Sequence, residues 1–152
     1  MKRIAYLIFI LIVATACKEV FEAPPQALLK AMLLNSTTNK TISSKVTTRG
    51  IGIDSLLYKD TTLTVLILPL SANDTTSFRI SFDSTIDTIT FIHETSMKYA
   101  SMESGFYHEY KLHNIDFSRN RIDSILITDS LVTKNWHENI KLYLRPLPSG
   151  GN

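Results

Sequence analysis

The feature that most limits what this chain can become is a two-residue rhythm of apolar and polar side chains, repeated in short segments. In Thr75–Phe82, Phe78, Ile80 and Phe82 alternate with Ser77, Arg79 and Ser81. Successive side chains of a strand leave opposite faces, so this pattern buries one face and wets the other. The same rhythm puts Ile89 and Phe91 on one face of Ile86–Glu94, and Phe106, Tyr110 and Leu112 on one face of Phe106–His113. It also turns Ile140, Leu142 and Leu144 inward from Glu138–Leu144. Lys45–Gly52 is a Thr-rich strand whose Gly50 and Gly52 suggest a bulge or close backbone approach. Asp54–Tyr58 and Asp123–Thr128 are shorter. Ala27–Leu34, apart from Lys30, and Leu63–Leu68 are apolar on both faces, and the second reads as a central strand ended by Pro69. Turn formers separate the segments, as in Asn35–Lys40. No long stretch shows a 3.6-residue apolar period, although Ser96–Ser104, with Met97, Tyr99 and Met102, has room for one helical turn. The reading is all-β: an antiparallel β-sandwich of immunoglobulin-like type.

The N-terminus has a different character. Met1-Lys2-Arg3 is a short basic region, Ile4 to Val13 is apolar, and Ala14-Thr15-Ala16 leads to Cys17, the only cysteine. This three-part form is that of an export signal. The apolar run is about ten residues, too short for a spanning helix, which needs roughly 20. A lone cysteine at that point reads as a lipoprotein cleavage site, with residues 1–16 removed and Cys17 lipidated. One position departs from the usual pattern: three before the cysteine stands Ala14, with the larger Val13 one place too early. The alternative is ordinary secretory cleavage nearby, leaving a free thiol. Residues 17–25 then form a tether stiffened by Pro24-Pro25, 26–145 the β-sandwich domain, and 146–152 a disordered tail.

Charge and length narrow the function. Without Lys2 and Arg3 the chain carries 14 basic and 14 acidic residues, so the full-length excess of +2 belongs to the signal. Nucleic-acid binding needs a basic face, and none is expected. No disulfide can form within a chain whose one cysteine is lipidated, so stability rests on a packed core. About 120 residues suffice for one core and not for two.

Chemistry-bearing residues are sparse. A zinc site needs three or four converging ligands. His108 and His113, five apart on one strand, leave opposite faces. His108 shares the Phe106 and Tyr110 face and is expected to be a partly buried, hydrogen-bonded histidine. No metal or cofactor is expected. Glu94, Glu103, Glu109 and Glu138 are candidates for a carboxylate pair, and all four read as solvated charges. No Gly-x-Ser-x-Gly elbow or phosphate-binding glycine loop occurs. Trp136 and His137, with Tyr143, are the best candidates for a ligand patch; the plainer role for Trp136 is to cover one end of the sandwich.

Five local patterns occur in order behind the signal: Gly52-Ile53-Asp54-Ser55-Leu56-Leu57, Leu68-Pro69-Leu70, Glu103-Ser104-Gly105, Ile122-Asp123-Ser124-Ile125 and Glu138-Asn139-Ile140-Lys141-Leu142-Tyr143. In this order the chain resembles a family of small uncharacterised lipoproteins from Bacteroidota, over roughly Pro24 to Leu144. Members of that family often carry a cysteine where this chain has Ser104, so any disulfide or metal role of that cysteine is missing here. The resemblance implies location and fold and no chemistry.

Seven of the eight aspartates precede Ser or Thr, where chance gives about two: Asp54, Asp60, Asp74, Asp83, Asp87, Asp123 and Asp129. In all seven the third residue, after the Ser or Thr, is Leu, Ile or Thr. This resembles the O-glycosylation acceptor of exported Bacteroidota proteins. Turn chemistry explains it equally well, because both side chains bond nearby backbone. Thr75, expected in a hairpin loop between two apolar strands, and Ser130 are the best acceptors. Asp87-Thr88 and Asp123-Ser124 run straight into strands and read as structural.

Taken together, the chain reads as a non-enzymatic lipoprotein of the cell envelope. It is held to the membrane through lipid on Cys17, on the periplasmic or surface face of the outer membrane. Its expected role is binding or accessory, toward an envelope protein or a glycan. The alternative is an accessory hydrolase or carbohydrate-processing protein with a loop-built site. Converging carboxylates in a cleft would mark the second; a flat or aromatic patch would mark the first.

Overall fold

A computed structural model describes residues 22–147. The signal, Cys17, the first part of the tether and the end of the tail lie outside them. Among the described residues there are ten strands and no helix. They are β1 (Leu28–Asn35), β2 (Ser44–Gly50), β3 (Leu56–Leu63), β4 (Val65–Pro69), β5 (Thr75–Phe82), β6 (Thr85–Ser101), β7 (Gly105–Phe117), β8 (Ile122–Ile127), β9 (Leu131–Val132) and β10 (Ile140–Leu144).

Two sheets face each other. One has the order β4-β1-β10-β8, the other β3-β2-β5-β6-β7-β9. The alternating residues meet between them: Leu29, Leu33, Leu66, Leu68, Leu142 and Leu144 from the first sheet, Val46, Ile80, Phe82, Ile89 and Phe91 from the second, all 0% exposed. Phe78, also expected inward, packs edge-on against Phe91 at 6.2 Å. The sandwich expected from the two-residue rhythm is therefore present.

Its topology corrects several expectations. The sheets are not wholly antiparallel, because β1 pairs β10 in parallel, Ala31 opposite Ile140. Nor does the four-on-six arrangement match the four-plus-three strands of an immunoglobulin constant domain. Leu63–Leu68 is not one central strand: the chain changes sheets at Thr64, and β4 is an edge strand. Tyr58, from β3 of the facing sheet, reaches across to the backbone of this edge strand. The phenol donates to the Ile67 carbonyl and accepts from the Ile67 N–H, both at 3.1 Å. Ser96–Ser104 holds no helical turn. β6 runs through to Ser101, and residues 102–104 make the tip of a hairpin whose Gly105 has φ 73. A three-residue loop closing on a left-handed glycine is a common way to join two strands with a bulge.

One end of the sandwich is polar. There Asp87, 1% exposed, accepts from the Ser118 hydroxyl at 2.5 Å and from the N–H groups of Asn120, Arg121 and Ile122 at 2.9, 2.7 and 3.1 Å. Arg121 reaches Asp83 at 3.2 Å, and Asp83, in a turn with φ 57, accepts from Ser44 and the Lys45 N–H. The two carboxylates stitch the β5–β6 turn, the start of β2 and the β7–β8 loop together.

Candidate functional site

The opposite end has another chemistry. The register places Leu28 beside Pro69 and Thr75 beside Ile92, so the chain reaches the fold here through residues 22–27. The β2–β3 turn, the β4–β5 crossover, the loop after β9 and the β6–β7 hairpin gather at this end.

Between the β2–β3 turn and the β4–β5 crossover lies an open groove of ≈ 510 Å³. Ile51, Ile53, Leu57, Pro69, Leu70 and Phe78 supply its apolar walls. Ile51 and Ile53 are 57% and 58% exposed, which leaves them without a partner inside the fold. The turn is tight for a local reason. Gly52 has φ 84, with nothing within 4 Å of a Cβ placed there, and a Cβ at Gly50 would come within 3.0 Å of the Ile53 side chain. That contact is to a side chain of the same turn, and not the close approach of another backbone segment that the two glycines suggested.

A polar chain lies beside the groove. Thr76 Oγ1 accepts from the Ser71 N–H at 2.9 Å and lies 2.9 Å from Nε2 of His93. The His93 ring is 2% exposed and meets the edge of Tyr110 at 5.2 Å. Burial holds its pKa below the ordinary histidine range, partly offset by the Asp74 charge. A hydroxyl beside an imidazole is the first half of a nucleophile–base pair. Here the other ring nitrogen faces the Thr95 hydroxyl at 3.4 Å and no carboxylate orients it. What this end offers chemically is an apolar trough edged by hydroxyls. His93 was missed in the sequence, although its place two residues after Phe91 on the inner face of β6 was the signal for it.

The expected patch is only partly assembled. Trp136, 57% exposed, donates its indole N–H to the Gln26 carbonyl at 2.9 Å, tying the loop after β9 to the first residue after the tether. His137 bridges the Asn135 carbonyl at 2.7 Å and the Asp129 carboxylate at 2.9 Å. The Leu131 N–H first, and His137 next, hold Asp129 below the usual carboxylate range. Tyr143 does not join them. It pairs with Leu34 and Ser124, six residues along β1 from Leu28, or about 20 Å at strand spacing. Trp136 stands exposed at this end, held by its hydrogen bond to Gln26.

The remaining candidates separate clearly. Thr75 is exposed, but its loop is a crossover between sheets and not the hairpin expected, because β4 and β5 belong to different sheets. Ser130 is half-buried, its carbonyl accepting from the Leu112 N–H at 2.8 Å. Cys17 lies outside the described residues. His108 is exposed, against the expectation of partial burial, because the facing first sheet ends before reaching it. His113 sits at the bulge between Leu112 and Asn114 and reaches Glu94 at 3.7 Å on the outer face. Among the described residues no group of three His, Cys, Asp or Glu side chains is placed to hold a metal ion. Nor is any helix there long and apolar enough to cross a membrane.

Five of the seven Asp-Ser/Thr pairs have a local explanation. Asp60 and Asp83 adopt positive φ, of 49 and 57; Asp87 clamps the β7–β8 loop, Asp123 meets Arg145 at 3.4 Å, and Asp129 holds its own loop.

The model of a family of unknown function, DUF6452, matches residues 45–144. The chain belongs to DUF6452. No curated protein and no solved structure matches it. The matched DUF6452 segment begins in β2, so it takes in both sheets but leaves out β1, the strand that fills the gap between β4 and β10.

Proposed function

We propose that this DUF6452 chain is a lipid-anchored lipoprotein of the Bacteroidota cell envelope, held to the outer membrane through Cys17. It acts as a binding or accessory component without catalysis of its own. The observation that carries the reading is the placement of the open apolar groove at the end where the tether meets the fold. One hydrogen bond from Trp136 to Gln26 holds the chain where the tether ends. An apolar trough edged by hydroxyls and backbone suits an apolar segment of an envelope protein or the apolar face of a glycan. Thr75, exposed at the rim, is the acceptor position an envelope glycosylation enzyme would reach, with Ser130 second.

The location is tested by fractionation and intact mass. Native protein should sediment with membranes and carry the mass of a lipid on Cys17, and Cys17→Ala should lose both. If the variant still sediments with membranes and the native protein carries no lipid, the reading is wrong. The binding role is tested by cross-linking in the envelope: Ile53→Lys should abolish adducts that the native groove forms, and unchanged adducts would remove the groove from the function.

A further inference from the structure

We propose that the β6–β7 hairpin, which projects past the groove, rests its tip on the lipid bilayer as a second contact made by protein side chains. The proposal rests on the lipid-anchored reading above.

The outer half of the hairpin pairs with no third strand. Beyond Thr95 and Tyr110, level with the last residue of β9, five more residue pairs continue outward, or roughly 15–20 Å. The inner face of β6 and β7 carries on along them. Met97 and Tyr99 follow His93, and Phe106 precedes Tyr110, but the facing sheet has stopped at Leu28 and Pro69. The consequence is exposure: Met97 66%, Tyr99 58%, Phe106 61%, and Met102 at the tip 90%. Tyr99 and Phe106 pack edge to face at 5.4 Å, so they form one apolar surface.

The chain's own course points to lipid as the occupant. Pro24 and Pro25 line a shallow hollow with Phe106 and His108. Cys17 is five residues before Glu22, and five residues reach under about 20 Å when fully extended. Lipid on Cys17 therefore keeps this end within that distance of the bilayer. The side chains suit the interface. Aromatic rings and lysines settle at the headgroup level, the lysine stems lying along apolar surface. Lys98 is exposed on the hairpin, and Lys134 lies 5.8 Å over the Tyr107 ring. Glu103, exposed beside Met102, limits the depth, because its carboxylate stays at the headgroups.

Trp136 is the only tryptophan, so single-tryptophan variants report the contact. In a Trp136→Phe background, Met102→Trp marks the hairpin tip and Ser84→Trp the opposite end. Both positions are exposed, so neither change disturbs the core. Each full-length protein is purified from its membranes and reconstituted in phosphatidylethanolamine–phosphatidylglycerol vesicles containing brominated lipid. Position 102 should lose most of its emission to the bromines and position 84 almost none. Equal, weak quenching at both positions overturns the proposal. A blue shift at position 102 that grows with protein concentration without vesicles also overturns it, in favour of a second copy. The mass on Cys17 in the same samples reports separately on the anchor.

Discussion

Phe82 and Arg79 lie three residues apart on β5 and have opposite surroundings, one 0% exposed, the other at the surface. Phe82→Ala should cost about 3–5 kcal/mol in denaturant unfolding, and Arg79→Ala within about 0.5 kcal/mol of nothing. Equal losses would mean the strand is out of register by one residue. Thr48 gives the converse case. It is 0% exposed, and its hydroxyl has no hydrogen-bond partner among the described residues. Thr48→Val keeps the shape and removes a desolvated polar group, so it should stabilise by about 1 kcal/mol. His93 sets a pH dependence. Burial lowers its folded pKa, so the unfolded chain takes up this proton at a higher pH than the native protein. Stability is complete above the ordinary histidine value of about 6.5 and is lost as pH falls from there to the lowered value. His93→Gln should flatten that part of the curve of urea midpoint against pH.

At the scale of the element, the β6–β7 hairpin shows two stabilities in one piece of secondary structure. Its lower half is packed between β5 and β9; its upper half pairs only with itself. Few buried contacts mean low local stability. Amides of residues 97–107 should exchange hydrogen much faster than those of residues 88–92, and equal protection would mean that something covers the upper half. Replacing Met97, Tyr99 and Phe106 together by Ser should barely move the unfolding midpoint, since all three are more than half exposed. A large loss would show that their burial holds the fold.

At the scale of the molecule, the parallel pairing of β1 with β10 closes the first sheet. Leu29, Ala31 and Leu33 are all 0% exposed there, so the segment matched to the family is short of its own core. A fragment from residue 40 onward should show no cooperative unfolding, because the facing positions of β4 and β10 lose their neighbour. A cooperative transition in that fragment, followed by circular dichroism, would show that β1 is an accessory to a core complete without it.

The sequence alone determined the class of structure and most of its inward faces. Alternation is a local property, written in neighbouring residues, and burial on one face of a strand follows from it. Phe78, Ile80, Ile89, Leu142 and Leu144 were legible for that reason. Which strands pair, and where a sheet runs out, depends on residues far apart in the chain. Phe106 has the same parity as Tyr110 and so the same local claim to the core, yet it is exposed because β1 and β4 end short of it. His108 differs from expectation for the same cause. The sheet change at Thr64, the parallel β1–β10 pair and the separation of Tyr143 from Trp136 were likewise decided by tertiary structure. So was the gathering of groove, hairpin and tether at one end: the order of strands in each sheet brings those loops together, and no local pattern encodes that order.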